Sequence, residues 1–573
     1  MRIITYNSYY FHLLKNVNTC CHYLSAGSVI MRSASTATIS VSAAVIGAGI
    51  LLSITLRVMH KTLKIKTSRR KTEQLRHHVH AGSTPLKMKS IKLAEAEGLF
   101  YLTDLPALST ITWLTGNYRT ATPILEQRMR WIIKKNPWIR GRIVKDRSSL
   151  SSALSLSAYQ LCYRVPSEED DDDCNNVDIH GGDSNDSDSD RDSDRDSDSN
   201  IDISDCFTVV DPHQSPISRS SDFATLGDSI ARAQVSVDDR SSSRSGSRSL
   251  FIKNAKGQPT FKVTILPCAT NPNTKFAVMV QMSHVLGDGA TYYQLIDMLC
   301  SISRVNGSDS DHNNIIALDP ERKSNFQELQ IKAMGKEEEG YLTSMGYVLR
   351  LMYGMVKSKL SAPPIQFRFG VVDPDKIAQL KSKLNETEQG SNDAPSYIST
   401  NDIITSWFMK ATNCPTGVMA INWRNRLQGV KSTHAGNYEN VIFYQKQDFV
   451  SPSLIRQSLK VGAETGVYQR AMTKEDGLPG TIATIRNSNS IVTNWASFAK
   501  KNEIGVERKS VVDNVDADVC VEDVHLPIAS LGAWPESLPL LLIFRAGVNK
   551  LGLCYYDTGG TNPLDKCPFL LGK

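Results

Sequence analysis

The chain has 573 residues, a hydrophobic share of 40% and a formal net charge of +6. That length supports more than one hydrophobic core, and the composition is that of a globular protein with some unstructured additions. Its eleven cysteines form no Cys-x-x-Cys pair and none lies at zinc-ligand spacing from a histidine, so they read as reduced thiols in a cytosol-like compartment, with no metal site expected.

Residues 1 to 72 contain no Asp or Glu, and within them Ile39 to Leu56 is apolar and long enough to cross a bilayer as a helix. Arg57, Lys61, Lys64, Lys66, Arg69, Arg70 and Lys71 follow this span, against Arg2, Lys15 and Arg32 before it. The bias turns the following body toward the cytosol. Residues 1–86 are therefore expected to be a leader with a transmembrane anchor at about 36–56 and a basic flank, placing the protein on the endoplasmic reticulum or another endomembrane. An organelle transit peptide is the alternative reading of the same acid-free, serine-rich segment.

From residue 87 the pattern becomes that of a folded α/β body. Leu125, Met129, Ile132 and Ile133 have the spacing of a packed helix, which Asn136-Pro137 ends. The lysines and arginines along it form a solvated outer face, and without an aromatic stacking platform no nucleic-acid partner is expected. Glu168 to Asp205 then holds 17 of the chain's 59 acids in Ser-Asp repeats, and a less acidic Ser/Arg-rich run follows. Such a composition buries too little apolar surface to fold, so a disordered insert is expected over about 167–248. Outside the acidic run the chain carries 63 basic and 42 acidic residues, an excess suited to anionic headgroups near the anchor.

Thr260 to Leu266 alternates as a strand, and Phe276 to Met282 reads as a buried strand paired with it. Gly287 and Gly289 permit a tight turn, after which apolar residues from Ala290 onward fall at helical spacing. His284 thus sits where a strand ends, a position that holds an imidazole rigidly and leaves room for a substrate, as a general base requires. Asp288 could fix the loop by pairing with a cation from elsewhere, and Gly289 removes a side chain where two segments come close. The plainer reading is a satisfied core histidine beside an ordinary turn.

Pro363-Pro364 stiffens a crossing into a second lobe, residues 361–573, which repeats the α/β alternation. Asn401 and Asp402 open a helix, as caps or as site residues. Val418 to Asn422 and Val441 to Tyr444 read as strands with Arg424 and Arg426 between them. Leu538 to Phe544 and Leu551 to Tyr556 read as a hairpin around Gly547 to Lys550.

The spacing His284-x-x-x-Asp288-Gly289 resembles the signature of the chloramphenicol acetyltransferase-like superfamily, which includes plant BAHD acyltransferases, wax ester synthase/diacylglycerol acyltransferases and the condensation domains of peptide synthetases. Three further stretches occur in the family's order. Ile124 to Arg142, with Asn136-Pro137, resembles its early helix and following strand; Asn401-Asp402 is similar to the wax ester synthase branch; and Arg424-Asn-Arg426 with Gly436-Asn437 is similar to the "R-x-R…GN" segment of the BAHD branch. The C-terminal Asp-Phe-Gly-Trp-Gly of BAHD enzymes is at best Ser530 to Trp534, and the second histidine of wax ester synthases is Ser283 here.

The resemblance implies two chloramphenicol acetyltransferase-like lobes of mixed α/β sheets, 87–360 and 361–573, with an active-site tunnel between them. It implies that His284 deprotonates an alcohol or amine, lipid acceptors included, for attack on an acyl thioester, with acyl-CoA as co-substrate and no other cofactor. Asp288 would pair with Arg424 in preference to Arg426, Asn437 would border the channel, and the Thr493 hydroxyl of Ile491 to Trp495 would help bind the oxyanion. A monomer is expected. A condensation-like domain acting on carrier-bound thioesters, or a non-catalytic ligand-binding relative, are the alternatives.

Overall fold

The computed structural model describes residues 88–103, 107–145, 158–165, 201–215, 259–300, 315–342, 366–388, 397–459, 476–486, 489–504, 520–528, 538–557 and 562–572, with a few residues between them. The expected anchor, the Pro363-Pro364 crossing and Ser530 to Trp534 lie outside these residues. Among the described residues no helix is long and apolar enough to cross a membrane, and no cysteine forms a disulfide.

The strands in chain order are β1 Met88–Lys92, β2 Leu108–Thr115, β3 Arg142–Lys145, β4 Tyr159–Arg164, β5 Phe207–Val209, β6 Phe261–Pro267, β7 Lys275–Met282, β8 Gln366–Val371, β9 Thr416–Asn422, β10 Glu439–Gln445, β11 Asn489–Asn494, β12 Glu503–Ile504, β13 Cys520–Ile528, β14 Leu540–Gly547 and β15 Lys550–Asp557. They form two six-stranded mixed sheets, one in the order β12-β13-β2-β7-β6-β5 and the other β10-β9-β11-β14-β15-β8. A small sheet, β1-β4-β3, completes the set. Each large sheet is the centre of one α/β lobe.

The two sheets share one apolar core, which explains why their central strands read as unbroken apolar runs. On β7, Phe276, Val278, Val280 and Met282 point into the first lobe's helical layer. Ala277 and Met279 point the other way, into a core shared with the second sheet. The same alternation divides β14, where Leu541 and Ile543 face the second lobe's helices while Leu540, Leu542 and Phe544 enter the shared core. With both faces covered, side chains of either parity must be apolar.

The helices that position the site are α1 Glu95–Thr103, α2 Tyr118–Lys135 and α3 Gly289–Cys300 in the first lobe. The stripe Leu125, Met129, Ile132 and Ile133 of α2 is buried there. Asn136 ends the helix and also donates to Ile316 O at 2.9 Å and accepts from Leu318 N at 2.7 Å, so the stop residue ties down a distant loop.

Two sequence expectations are corrected. The insert does not run uninterrupted over 167–248, because β5 within it pairs in parallel with the edge of β6. Ile203, Cys206, Phe207 and Ile217 are buried, and Asp205 accepts from Arg142 at 2.6 Å instead of joining a solvated acidic run. The neighbouring residues 166–200 and 218–258 lie outside the described residues. The second lobe likewise does not own all of 361–573. Strands β12 and β13 return to the first sheet, β13 pairing with β2 so that Val524, Leu526 and Ile528 join Ile111 and Trp113 in the shared core.

Candidate active site

His284 lies two residues past the end of β7 and Asp288 precedes the first residue of α3, so one tight segment carries both. Asp288 is almost wholly buried and its carboxylate is fully used. One oxygen accepts from Thr291 N at 3.1 Å, capping α3. The other accepts from Arg424 Nη1 at 2.7 Å and from Tyr438 N at 2.9 Å. Arg424, also buried, donates in addition to the carbonyls of His434 and Gly436 and to Thr291 Oγ1, each at 2.9 Å. Arg426 is exposed and lies over the Tyr468 ring, with no part in this pair.

Desolvating an aspartate and an arginine is costly unless both are paired and hydrogen-bonded, and here each charge meets several partners, two of them from the other half of the chain. The result is a rigid join between the segment 284–291 and the segment 422–438. A second arginine strengthens it. Arg322 donates to Leu286 O at 3.0 Å, to Ala435 O at 3.1 Å and to both oxygens of buried Glu97 at 2.9 and 3.0 Å. Its guanidinium packs beside Gly436, whose φ of +134° and whose missing Cβ, 3.1 Å from the Arg322 guanidinium, both require glycine.

Asn437 connects this frame to the histidine. Its Nδ2 donates to Glu97 Oε1 at 3.1 Å and to His284 O at 2.9 Å, which fixes the amide's orientation. Its Oδ1 therefore faces His284 Nδ1, at 3.1 Å, and must accept from it. The proton thus sits on Nδ1 and the lone pair on Nε2, the tautomer a base needs. Nε2 looks toward Glu439 Oε1 at 3.7 Å, outside hydrogen-bond reach.

Burial lowers the His284 pKa below its ordinary value. Hydrogen bonding with its own backbone and Asn437, and the Asp288 and Glu97 charges, offset only part of that. The imidazole, 16% exposed and packed against Phe100, is consequently neutral at pH 7.

Gly289 begins α3 directly beneath Trp495, whose Nε1 would lie 3.1 Å from an added Cβ. The close approach expected of this glycine is thus made by the residue two beyond Thr493. Thr493 itself is on β11, its backbone opposite Leu542, and its half-buried hydroxyl has no hydrogen-bond partner among the described residues. It makes no hydrogen bond to the His284 frame. Asp402 forms a capping box with Ser399 and pairs with Arg456 at 2.6 Å, a structural use, while Asn401 accepts from Asn494 at 3.0 Å. A pocket of ≈ 200 Å³ lies where the two halves meet, lined by Ala290, Gln294, Asn422, Arg424, Ser432 and Phe498; His284 is not in its lining.

Sequence reasoning missed Glu97, Arg322 and Glu439. For the first two no local signal exists, since each gains meaning only from partners far along the chain. Glu439 had one, an acidic residue opening an apolar strand just after Gly436-Asn437.

No family model matches the chain, and no curated protein sequence matches it significantly. Among solved structures it is similar to TRI101 of F. graminearum complexed with coenzyme A and deoxynivalenol, at 12% identity over 83% of this chain and 96% of that one, with a TM-score of 0.48. It is also similar to polyketide synthase associated protein 5 from Mycobacterium tuberculosis, at 11% identity over 84% and 96% of the two chains, with a TM-score of 0.41. The first condensation domain of the CDA synthetase shows 11% identity over 84% and 92%, with a TM-score of 0.37. Likenesses this distant leave activity to the geometry of the site.

Proposed function

We propose that the protein is an acyltransferase moving an acyl group from an acyl thioester, with acyl-CoA as co-substrate, to a hydroxyl or amine, and that His284 is the general base. The observation that carries this reading is the Asn437 contact, which leaves Nε2 of a neutral, rigidly held imidazole as the available base. Nε2 takes a proton from the acceptor as its oxygen or nitrogen attacks the thioester carbonyl, and the carbon–sulfur bond then breaks. The same proton passes to the departing thiolate, so no covalent enzyme intermediate is required. A base held in this way typically contributes ~10²–10⁴-fold in rate.

Asp288 is a positioning residue in this mechanism, because both its oxygens are committed within the frame. The Thr493 hydroxyl is the proposed oxyanion donor. The segment at about 36–56 is proposed to anchor the body to an endomembrane, facing the cytosol. Incubating the purified full-length protein with panels of acyl-CoA thioesters and of alcohols and amines, read by mass spectrometry, tests the reading. It predicts acylated acceptor and free coenzyme A in equal amounts, and neither above background with His284→Ala.

A further inference from the structure

Glu439 opens β10 two residues after Asn437 and points its carboxyl at the one ring nitrogen of His284 that the frame leaves without a hydrogen bond, with Oε1 3.7 Å from Nε2. The other two carboxylates around His284 are fully engaged, Glu97 by Arg322 and Asn437, Asp288 by Arg424, Tyr438 N and Thr291 N. Glu439 differs from both. Among the described residues only His284, itself neutral, lies within ion-pair distance and no donor hydrogen-bonds its carboxyl, while a third of its side chain remains exposed.

An acid two-thirds buried normally has donors of its own, because partly desolvating an unpaired carboxylate is costly. Burial, with a smaller push from the Asp288 charge and against the pull of Arg424, raises the Glu439 carboxyl to about 8. A positive charge brought to this spot would draw it into its ionised form. Acid and base thus face the same small space, and what that space lacks is a cation with hydrogen-bond donors.

We propose that the acceptor is a primary alkyl amine, received as its ammonium by Glu439 and acylated with His284 as base. The inference deepens the acyltransfer reading and rests on it. A hydroxyl has one proton to lose, for which His284 alone suffices. An alkylammonium has two, and the site holds two groups to take them. The ammonium first gives a proton to the Glu439 carboxylate, leaving a free amine and a carboxylic acid. The amine nitrogen then attacks the thioester carbonyl, its second proton goes to His284 Nε2, and the carbon–sulfur bond breaks. The thiolate recovers that proton from His284, and Glu439 releases its own to solvent. The products are an amide, a thiol and one proton.

The test uses the purified full-length protein with acetyl-, octanoyl- and palmitoyl-coenzyme A and two matched acceptor pairs, octylamine with 1-octanol and phenethylamine with 2-phenylethanol. The wild type is expected to form amide with kcat/KM at least about tenfold above that for ester, since a site built to bond a group discriminates against its absence. Glu439→Gln, nearly isosteric and checked by thermal melt, is expected to lose about tenfold more on the amines than on the alcohols. His284→Ala should lose both activities. A wild type that prefers the alcohols, or a folded Glu439→Gln that slows both acceptors equally, overturns the amine proposal while an inactive His284→Ala keeps the base in place. If Glu439→Gln does not fold, the wild-type ratio of amide to ester decides alone. A wild type inactive on every pair, or a His284→Ala as active as wild type, overturns the acyltransfer reading and the amine proposal with it.

Discussion

The amide of Asn437 grips His284 at two points, donating from Nδ2 to the backbone carbonyl at 2.9 Å and accepting at Oδ1 from the ring Nδ1 at 3.1 Å. One side chain from the second half of the chain therefore sets both the place and the tautomer of a histidine in the first.

Truncating Asn437→Ala should lower kcat by about 10–100-fold with KM little changed, because an orientation used in the transition state is lost. The pH profile separates this from mere destabilisation. In the wild type the acid limb of kcat/KM is expected below 6.5, since burial lowers the His284 pKa. The Asn437 contact raises that pKa, so its loss should move the limb to still lower pH. An unmoved limb with a proportionate loss of folded protein would assign Asn437 a structural role only.

The buried Asp288–Arg424 pair makes a stability prediction. Either Asp288→Asn or Arg424→Ala leaves a charge buried without its partner, at a cost of about 3–5 kcal/mol. The double change should cost clearly less than the two single changes together, as measured by denaturant unfolding. Arg426→Ala is the control, expected within about 0.5 kcal/mol of wild type because Arg426 is exposed. Strict additivity at Asp288 and Arg424 would contradict the join described here.

A second buried histidine governs acid stability. His525 lies on β13 between Thr112 Oγ1 at 2.8 Å and Tyr293 OH at 3.0 Å, and burial lowers its pKa to about 4. Between that value and the unfolded 6.5 the unfolded chain binds a proton that the native chain refuses. Stability contributed above pH 6.5 is therefore lost as pH falls through this window, by up to about 1.4 kcal/mol per pH unit. His525→Gln should be less stable at pH 7 yet show a shallower fall between pH 6.5 and 5. An equal slope in the two proteins would remove His525 as the cause.

How far the chain could be read depended on the range of the interactions involved. The strand ending at Met282, the turn through Gly287 and the helix from Gly289 follow from local periodicity. Arg424 was reachable as the partner of Asp288 through motif resemblance, and the geometry distinguishes it from Arg426, two residues on. Glu97 and Arg322 were illegible because a lone acid on a helix and a lone arginine in a loop look solvated until the fold brings them together under Asn437. Strand β13 was equally hidden. Its alternation says that it lies in a sheet, and only the exposed edge of β2 says which. In the insert, composition overruled the local signal of Ile203, Cys206 and Phe207, three apolar residues that find the edge of β6 despite the acids around them.

The most direct measurement compares wild type with His284→Ala in a single-turnover acyltransfer assay, with a thermal melt on the same preparations. The account predicts a variant that stays folded and binds thioester nearly as well as wild type, with a rate lower by about 10²–10⁴-fold. A stable His284→Ala protein that transfers acyl groups at the wild-type rate would contradict it.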